Sequence, residues 1–335
     1  MFQTRDSGAD DRTEILHAEG LRKVYGARTA LKNLSFSLQA GRVVGFLGPN
    51  GAGKTTSIRI LTTILQPSSG HFVVDGISSE HPEAIRRRIG VLPEGLGFPR
   101  QLTGFRYLTY YGELFGRASA EARAVAEQLL DEVGLKARAQ SPIGSYSHGM
   151  RQRLGIARAL VNDPAVVFFD EPTLGLDPRG QRELLGLIQA VARQRHKGVV
   201  LSSHLLSEIE GVCDDVVIMN AGEVVAKGSV VDVIGQGGHD DRIAFRVRVP
   251  LPALDAARSL IEALPSVQAT APADDASGWL GVQLVPENGS SDPGPRTVNR
   301  ILETLIAADV PIAGVDSGAS RLEDVFLRLT TETIQ

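Results

Sequence analysis

The stretch Gly48-Pro49-Asn50-Gly51-Ala52-Gly53-Lys54-Thr55-Thr56 fits the spacing G-x-x-x-x-G-K-[ST]. Gly48, Gly51 and Gly53 free the backbone to turn so that several N–H groups converge on one anion, and a helix opening there adds its positive end. Lys54 supplies a point charge that suits the β- and γ-phosphates of a nucleotide, and Thr55 a hydroxyl that suits Mg²⁺. The flanks give the pattern its weight. "RVVGFL" at 42–47 is a short apolar run of the kind a strand shows when both its faces are covered, and the residues after the loop read as a helix.

A second apolar run, "AVVFFDEP" at 165–172, ends in adjacent carboxylates. Asp170 at the carboxyl end of such a strand suits a metal ion through water, and Glu171 suits polarising a water that attacks a γ-phosphate. A third run, "GVVLSS", leads into His204, whose imidazole would share the phosphate edge of the sheet and could donate to the γ-phosphate. Taken singly, adjacent acids at a strand end are ordinary loop residues, and a histidine after a strand is ordinarily structural. "YSHGMRQR" at 146–153 offers another anion-ready helix start: Ser147 is a good N-cap and Gly149 clears space for a ligand. Met150, Leu154, Ala157 and Val161 then recur at helical spacing, with Arg151 and Arg158 off that stripe.

Strands and helices must bring these groups together. Residues 15–38 alternate apolar and polar side chains, clearest in Leu34-Ser35-Phe36-Ser37-Leu38, which predicts an antiparallel N-terminal sheet. Residues 101–145 carry helical patterns without strands between them, predicting an inserted helical subdomain over about 100–160. Strands resume near 165–169, 198–202 and 215–219, in alternation with helices. The first domain is expected over 14–235, after a polar tail at 1–13 read as disordered, and "GQGGHDD" falls at a linker placed at 236–242. From 243 to 335 the order β-α-β-β-α-β, closed by a helix in "RLEDVFLRLT", predicts a small ferredoxin-like α+β domain. It carries no catalytic constellation.

The 335 residues, 42% hydrophobic and 22% charged, predict a soluble globular chain of about two domains. A net charge of -4 gives no general field for gripping a phosphate backbone, so no nucleic-acid partner is expected, and runs such as Arg86-Arg87-Arg88 read as solvated helix faces. The single cysteine, Cys213, reads as a small buried hydrophobe in a reducing compartment. No window is long and apolar enough to cross a bilayer, and the N-terminus has neither an apolar signal region nor Gly at position 2.

In their order along the chain, the P-loop at 48–56, the helix start at 147, the acid pair at 170–171, "LGLDP" at 174–178 and His204 resemble the ATP-binding subunit of ABC transporters. The resemblance covers residues 15 to about 235. It implies an α/β P-loop cassette with a mixed sheet core, binding ATP and Mg²⁺. It implies that Gly48, Pro49, Asn50, Gly51, Ala52, Gly53, Lys54, Thr55 and Thr56 hold the nucleotide, with Thr55 and Asp170 on the metal. Glu171 would be the catalytic carboxylate, His204 the switch histidine, Asp177 a D-loop residue and Tyr25 the aromatic stacked on adenine. Ser147, His148 and Gly149 would be the signature motif, which in this family completes the site of a second subunit in a head-to-tail dimer, here expected to be a homodimer. A lone chain would hydrolyse poorly. ATP closes the dimer and hydrolysis reopens it, moving a separate transmembrane permease, so the chain is expected on the cytoplasmic face of the membrane.

Two positions depart from the family pattern. Glu94, in "VLPEGLGF", stands where glutamine usually senses the metal; it can accept from metal-bound water but cannot donate. His148 stands where glycine is usual in the signature, either facing solvent or turned to the dimer interface, where protonation would attract phosphate. The C-terminal region resembles the extra domain of ABC-2 type exporters of drugs, antibiotics and sodium, which favours export. The other class of function, a soluble ABC-type ATPase acting on DNA or ribosomes, fits less well. Only 93 positions separate Lys54 from Ser147, with no heptads for a coiled coil, and one P-loop is present rather than two.

Overall fold

The computed structural model describes residues 13–95, 97–236, 245–274, 278–284, 295–317, 322, 325 and 326. The chain divides into two compact units, Met1–Val230 and Val231–Gln335. The N-terminal tail and most of the stretch read as a linker lie outside the described residues.

The first unit is built on a ten-stranded sheet. Its strands are β1 (Glu14–Tyr25), β2 (Arg28–Gln39), β3 (Val43–Leu47), β4 (Ser69–Val74), β5 (Ile77–Ser78), β6 (Ile89–Leu92), β7 (Val166–Asp170), β8 (Gly198–Ser203), β9 (Asp215–Asn220) and β10 (Glu223–Ser229). Their spatial order is β5-β4-β1-β2-β10-β9-β3-β8-β7-β6. β9, β3, β8, β7 and β6 run parallel to one another. β1, β2, β4 and β5 pair antiparallel. The mixed sheet and the antiparallel N-terminal part are therefore as the sequence predicts. Every residue of β3, β7 and β8 is buried, the reason these strands read as unbroken apolar runs. Phe46, Phe168, Val44, Val200 and Val217 meet in the core beside them.

The helices of this unit are α1 (Lys54–Leu61), α2 (Pro82–Arg86), α3 (Gly104–Leu114), α4 (Ser119–Glu132), α5 (His148–Leu160), α6 (Pro178–Arg195), α7 (Leu206–Val212) and, starting at its last residue, α8 (Val230–Gln236). α3, α4 and α5 form the insertion between β6 and β7. Thr103 caps α3 through Arg106 N, and Asp177 caps α6 through Gly180 N with Pro178 at the first helical position. α5 differs from the one-sided helix its spacing predicts. Gln152, Leu154, Gly155, Ile156, Ala157, Ala159 and Leu160 are all buried, because α5 touches β6, α3, α4 and α6 at once.

The second unit has β11 (Phe245–Arg248), α9 (Leu254–Glu262), β12 (Val267–Asp274), β13 (Trp279–Leu284), α10 (Pro295–Ala307) and β14 (Gly314–Ser317). The strands pair antiparallel in the order β12-β13-β11-β14, the ferredoxin-like arrangement. Phe245, Val247, Ile261, Leu280, Val282, Ile301 and Leu305 form its core. The final helix read in the sequence lies almost wholly outside the described residues; 322, 325 and 326 are helical.

Candidate active site

β3, β8 and β7 are adjacent and parallel, so their carboxyl ends deliver three chain segments to one edge. The first is the P-loop. A Cβ on Gly48 would lie 2.3 Å from the carbonyl oxygen of Met219 on β9, so only glycine fits. Gly51 and Gly53 have φ of 85° and 108°, which glycine adopts without strain. The loop feeds directly into α1, whose first residue is Lys54. Lys54 is buried, and its Nζ donates to Gly48 O at 2.6 Å and Pro49 O at 3.4 Å.

β7 and β8 supply the acids and their partners. Ser202 Oγ donates to Asp170 Oδ1 at 2.6 Å and accepts from the backbone N–H of Glu171 at 3.0 Å. One hydroxyl thus sets both carboxylate-bearing residues. Ser202 stood in the sequence as one of two small hydroxyl residues before His204, with no role; its register opposite Asp170 gives it one. Glu171 has φ of 47°, a left-handed conformation uncommon outside glycine, at the residue that must turn from the strand into the cleft. Its Oε1 lies 3.4 Å from Lys54 Nζ and its Oε2 lies 2.7 Å from His204 Nδ1. Thr55 Oγ1 donates to Asp170 Oδ1 at 3.3 Å. A hydroxyl and a carboxylate side by side are hard oxygen donors that fit Mg²⁺, which keeps its remaining positions for water and phosphate.

Glu171 and His204 line a cavity of about 340 Å³, together with residues 49–56, Arg28 and Ala30 of β2, Glu94 and Leu174. Glu94 follows β6 and is exposed there. Arg28 carries no motif and was missed, arriving from β2; Leu174 opens the "LGLDP" stretch but was not singled out as a lining residue. Tyr25 ends β1, 45% exposed, with Lys23 Nζ 5.3 Å from its ring centroid, and is not among the lining residues. Asp177 caps α6.

Ser147 caps α5, accepting from Met150 N at 3.2 Å. Neither Ser147, His148 nor Gly149 lines the P-loop cavity. His148, with Glu94, Phe98, Arg100, Arg151 and Gln152, lines a separate one of about 400 Å³. His148 Nε2 lies 2.9 Å from Leu174 O in its own chain.

Fold and site define a P-loop ATPase whose sheet carries an antiparallel N-terminal wing and a helical insertion. A family profile described as ABC transporter matches residues 31–174, and the chain belongs to the ABC transporter family. It binds and hydrolyses ATP, with Mg²⁺. The daunorubicin/doxorubicin resistance ATP-binding protein DrrA of Streptomyces peucetius is 34% identical over 328 residues, covering 95% of this chain and 93% of that protein. The Nod factor export ATP-binding protein I of Ralstonia nicotianae is 37% identical over 223 residues, 66% of this chain and 69% of that one. A bacterial ABC transporter cassette solved as a dimer is similar with a TM-score of 0.59 and 25% identity, over 64% of this chain and 98% of that structure. Among the described residues, no helix is long and apolar enough to cross a membrane.

Proposed function

We propose that this chain is the ATP-hydrolysing subunit of an exporter, working as a head-to-tail homodimer bound to a separate transmembrane permease at the cytoplasmic face of the membrane. One observation supports the dimer: Ser147, His148 and Gly149 do not line the cavity of their own chain's P-loop, which leaves that cleft for the signature segment of a second subunit. A second copy, turned head to tail, would bring Ser147 and the start of its α5 over the nucleotide held by Lys54. Export is supported by the resistance and export functions named for the two relatives.

The geometry supports these roles. Lys54 leaves its contacts to Gly48 and Pro49 for the β- and γ-phosphates, which the loop N–H groups also receive. Thr55 and Asp170, with Glu94 lining the same cleft, would hold Mg²⁺, which would supply charge neutralisation of the phosphates when bound. Glu171 accepts the proton of the attacking water, and His204 holds that carboxylate in place from its other side. ATP binds the closed dimer more tightly than the open one, so binding and hydrolysis alternate the two states.

Complementation tests the dimer. Lys54→Ala and Ser147→Arg should each abolish ATP turnover, yet a mixture of the two should recover activity, because a mixed dimer holds one intact site. No recovery on mixing, with both variants folded, would reject the shared-site reading. Co-purification with a membrane subunit, and loss of drug efflux in cells when Glu171→Gln replaces the wild type, test export.

A further inference from the structure

His148 opens α5, and its ring turns toward the loop that follows Glu171. Leu174 O, 2.9 Å from Nε2, can only accept, so the ring carries a proton on Nε2 and donates it. Around two glycines the segments also lie at ordinary van der Waals spacing from one another. A Cβ on Gly149 would meet Leu176 Cδ2 at 3.5 Å, and one on Gly175 would meet His148 Nε2 at 3.5 Å. The loop has two longish hydrogen bonds of its own, Leu174 N to Glu171 O at 3.2 Å and Leu176 N to Thr173 O at 3.1 Å. No other side-chain hydrogen bond to residues 172–176 occurs among the described residues. The loop begins at Glu171, places Leu174 in the nucleotide cavity and ends at the Asp177 cap of α6.

We infer that His148 is a positioning residue that straps segment 171–177 to the signature helix, and so sets the rate of the hydrolytic step through Leu174. The glycine usual at this position has no donor to offer. The strap fixes Glu171 at one end of the loop and Asp177 at the other relative to Ser147, so one chain's signature and D-loop move as a unit. Both the Nε2–H tautomer and the imidazolium donate to Leu174 O, so the strap holds whatever the ring's charge. The inference rests on the ATPase reading of the cleft.

His148 is exposed at the start of a helix, and substitution there leaves the core intact. His148→Ala removes the donor; His148→Gln puts an amide N–H at similar reach. Hydrogen exchange of the Leu174 and Leu176 amides in the nucleotide-free chain should run about fivefold faster in His148→Ala, the change an ordinary lost hydrogen bond gives, and return toward wild type in His148→Gln. The kcat for ATP should fall about three- to tenfold in His148→Ala with KM within about twofold, and recover in His148→Gln. Unchanged exchange in His148→Ala overturns the strap. A kcat loss that His148→Gln fails to restore, or wild-type activity that falls as the histidine loses its proton, overturns it in favour of a charge contact with phosphate. A wild-type chain without ATP turnover would instead defeat the proposed function, and the exchange comparison would still decide whether the strap exists.

Discussion

His204 Nδ1 lies 2.7 Å from Glu171 Oε2, while the other oxygen of the same carboxylate lies 3.4 Å from Lys54 Nζ. Glu171 is therefore gripped between the histidine that follows β8 and the lysine of the P-loop. With its Nδ1 proton committed to the carboxylate, a neutral His204 has only an acceptor at Nε2; donating to a γ-phosphate as well requires the imidazolium.

Replacing Glu171 by glutamine keeps the shape and removes the base. Hydrolysis should fall by about 10²–10⁴-fold, and an ATP-bound dimer should accumulate. Phosphate release and size-exclusion chromatography with ATP and Mg²⁺ check both. Undiminished turnover would remove Glu171 from the catalytic role.

Gly48→Ala should abolish nucleotide binding. The added Cβ would fall 2.3 Å from Met219 O, and backbone cannot yield as a flexible side chain does, so the loop must shift. The carbonyl that holds Lys54 moves with it. Equilibrium binding of a fluorescent ATP analogue, compared with Gly51→Ala, reads the effect. A Cβ on Gly51 meets nothing within 4 Å, though its φ of 85° still costs strain, so a smaller loss of affinity is expected there.

Arg158, placed by its spacing off the apolar stripe, turns inward. Its guanidinium donates to Val91 O at 3.0 Å and to Tyr107 Oη at 3.3 Å, joining α5 to the end of β6 and to α3. Arg158→Ala should cost about 2–3 kcal/mol in urea unfolding, since it strands a half-buried hydroxyl and a carbonyl. Burial, against the pull of Arg158, pushes the Tyr107 hydroxyl up to about 12. The neutral form is the one the fold favours, so this contribution to stability is complete below pH 10 and is lost as pH rises toward 12. Absorbance titration of wild type against Tyr107→Phe should show matching tyrosinate signals near pH 10.5 and diverge only near pH 12.

Asp163 accepts from Lys197, which together with Arg195 holds its carboxyl below the usual range. A depressed folded-state value gives stability that is present above the unfolded value and lost as pH falls through the folded one. Asp163→Asn should therefore lower stability at pH 7 by under about 1 kcal/mol, the group being largely exposed, and make no difference once the wild-type carboxyl is protonated. Urea midpoints at pH 7 and pH 2.5 measure the sign.

Cys213 is buried, and burial beside Asp214, Asp215 and Glu208 pushes its thiol well up. A thiol reagent at pH 8 should label it only through unfolding, with a rate that climbs steeply in denaturant. Fast labelling of the native chain would show that α7 opens locally.

The chemistry of the cleft is local in sequence, and so it was legible. Gly48 to Thr56 must be contiguous because neighbouring N–H groups and one lysine act on the same phosphates, and Asp170 and Glu171 must follow an apolar strand to reach the same edge. β3, β7 and β8 announce themselves because full burial makes each an apolar run, broken only at the carboxyl ends where Asp170, Ser202 and Ser203 meet the cleft. The alternation of residues 34–38 gave the antiparallel part, and element order alone carried the ferredoxin-like unit.

Folding decided what depends on neighbours far apart in sequence. Nothing local tells that β8 lies between β3 and β7, and that placement makes Ser202 the shared partner of Asp170 and Glu171. Arg28 and Leu174 enter the cavity from β2 and from the loop before α6, and Arg158 joins three elements although its spacing marks it as peripheral. The signature histidine was read toward solvent or a partner, and its ring bonds the chain's own loop. Sequence pattern records which side chains a strand or helix must bury; which of them then meet is fixed by the packing of segments whose contacts leave no periodic trace.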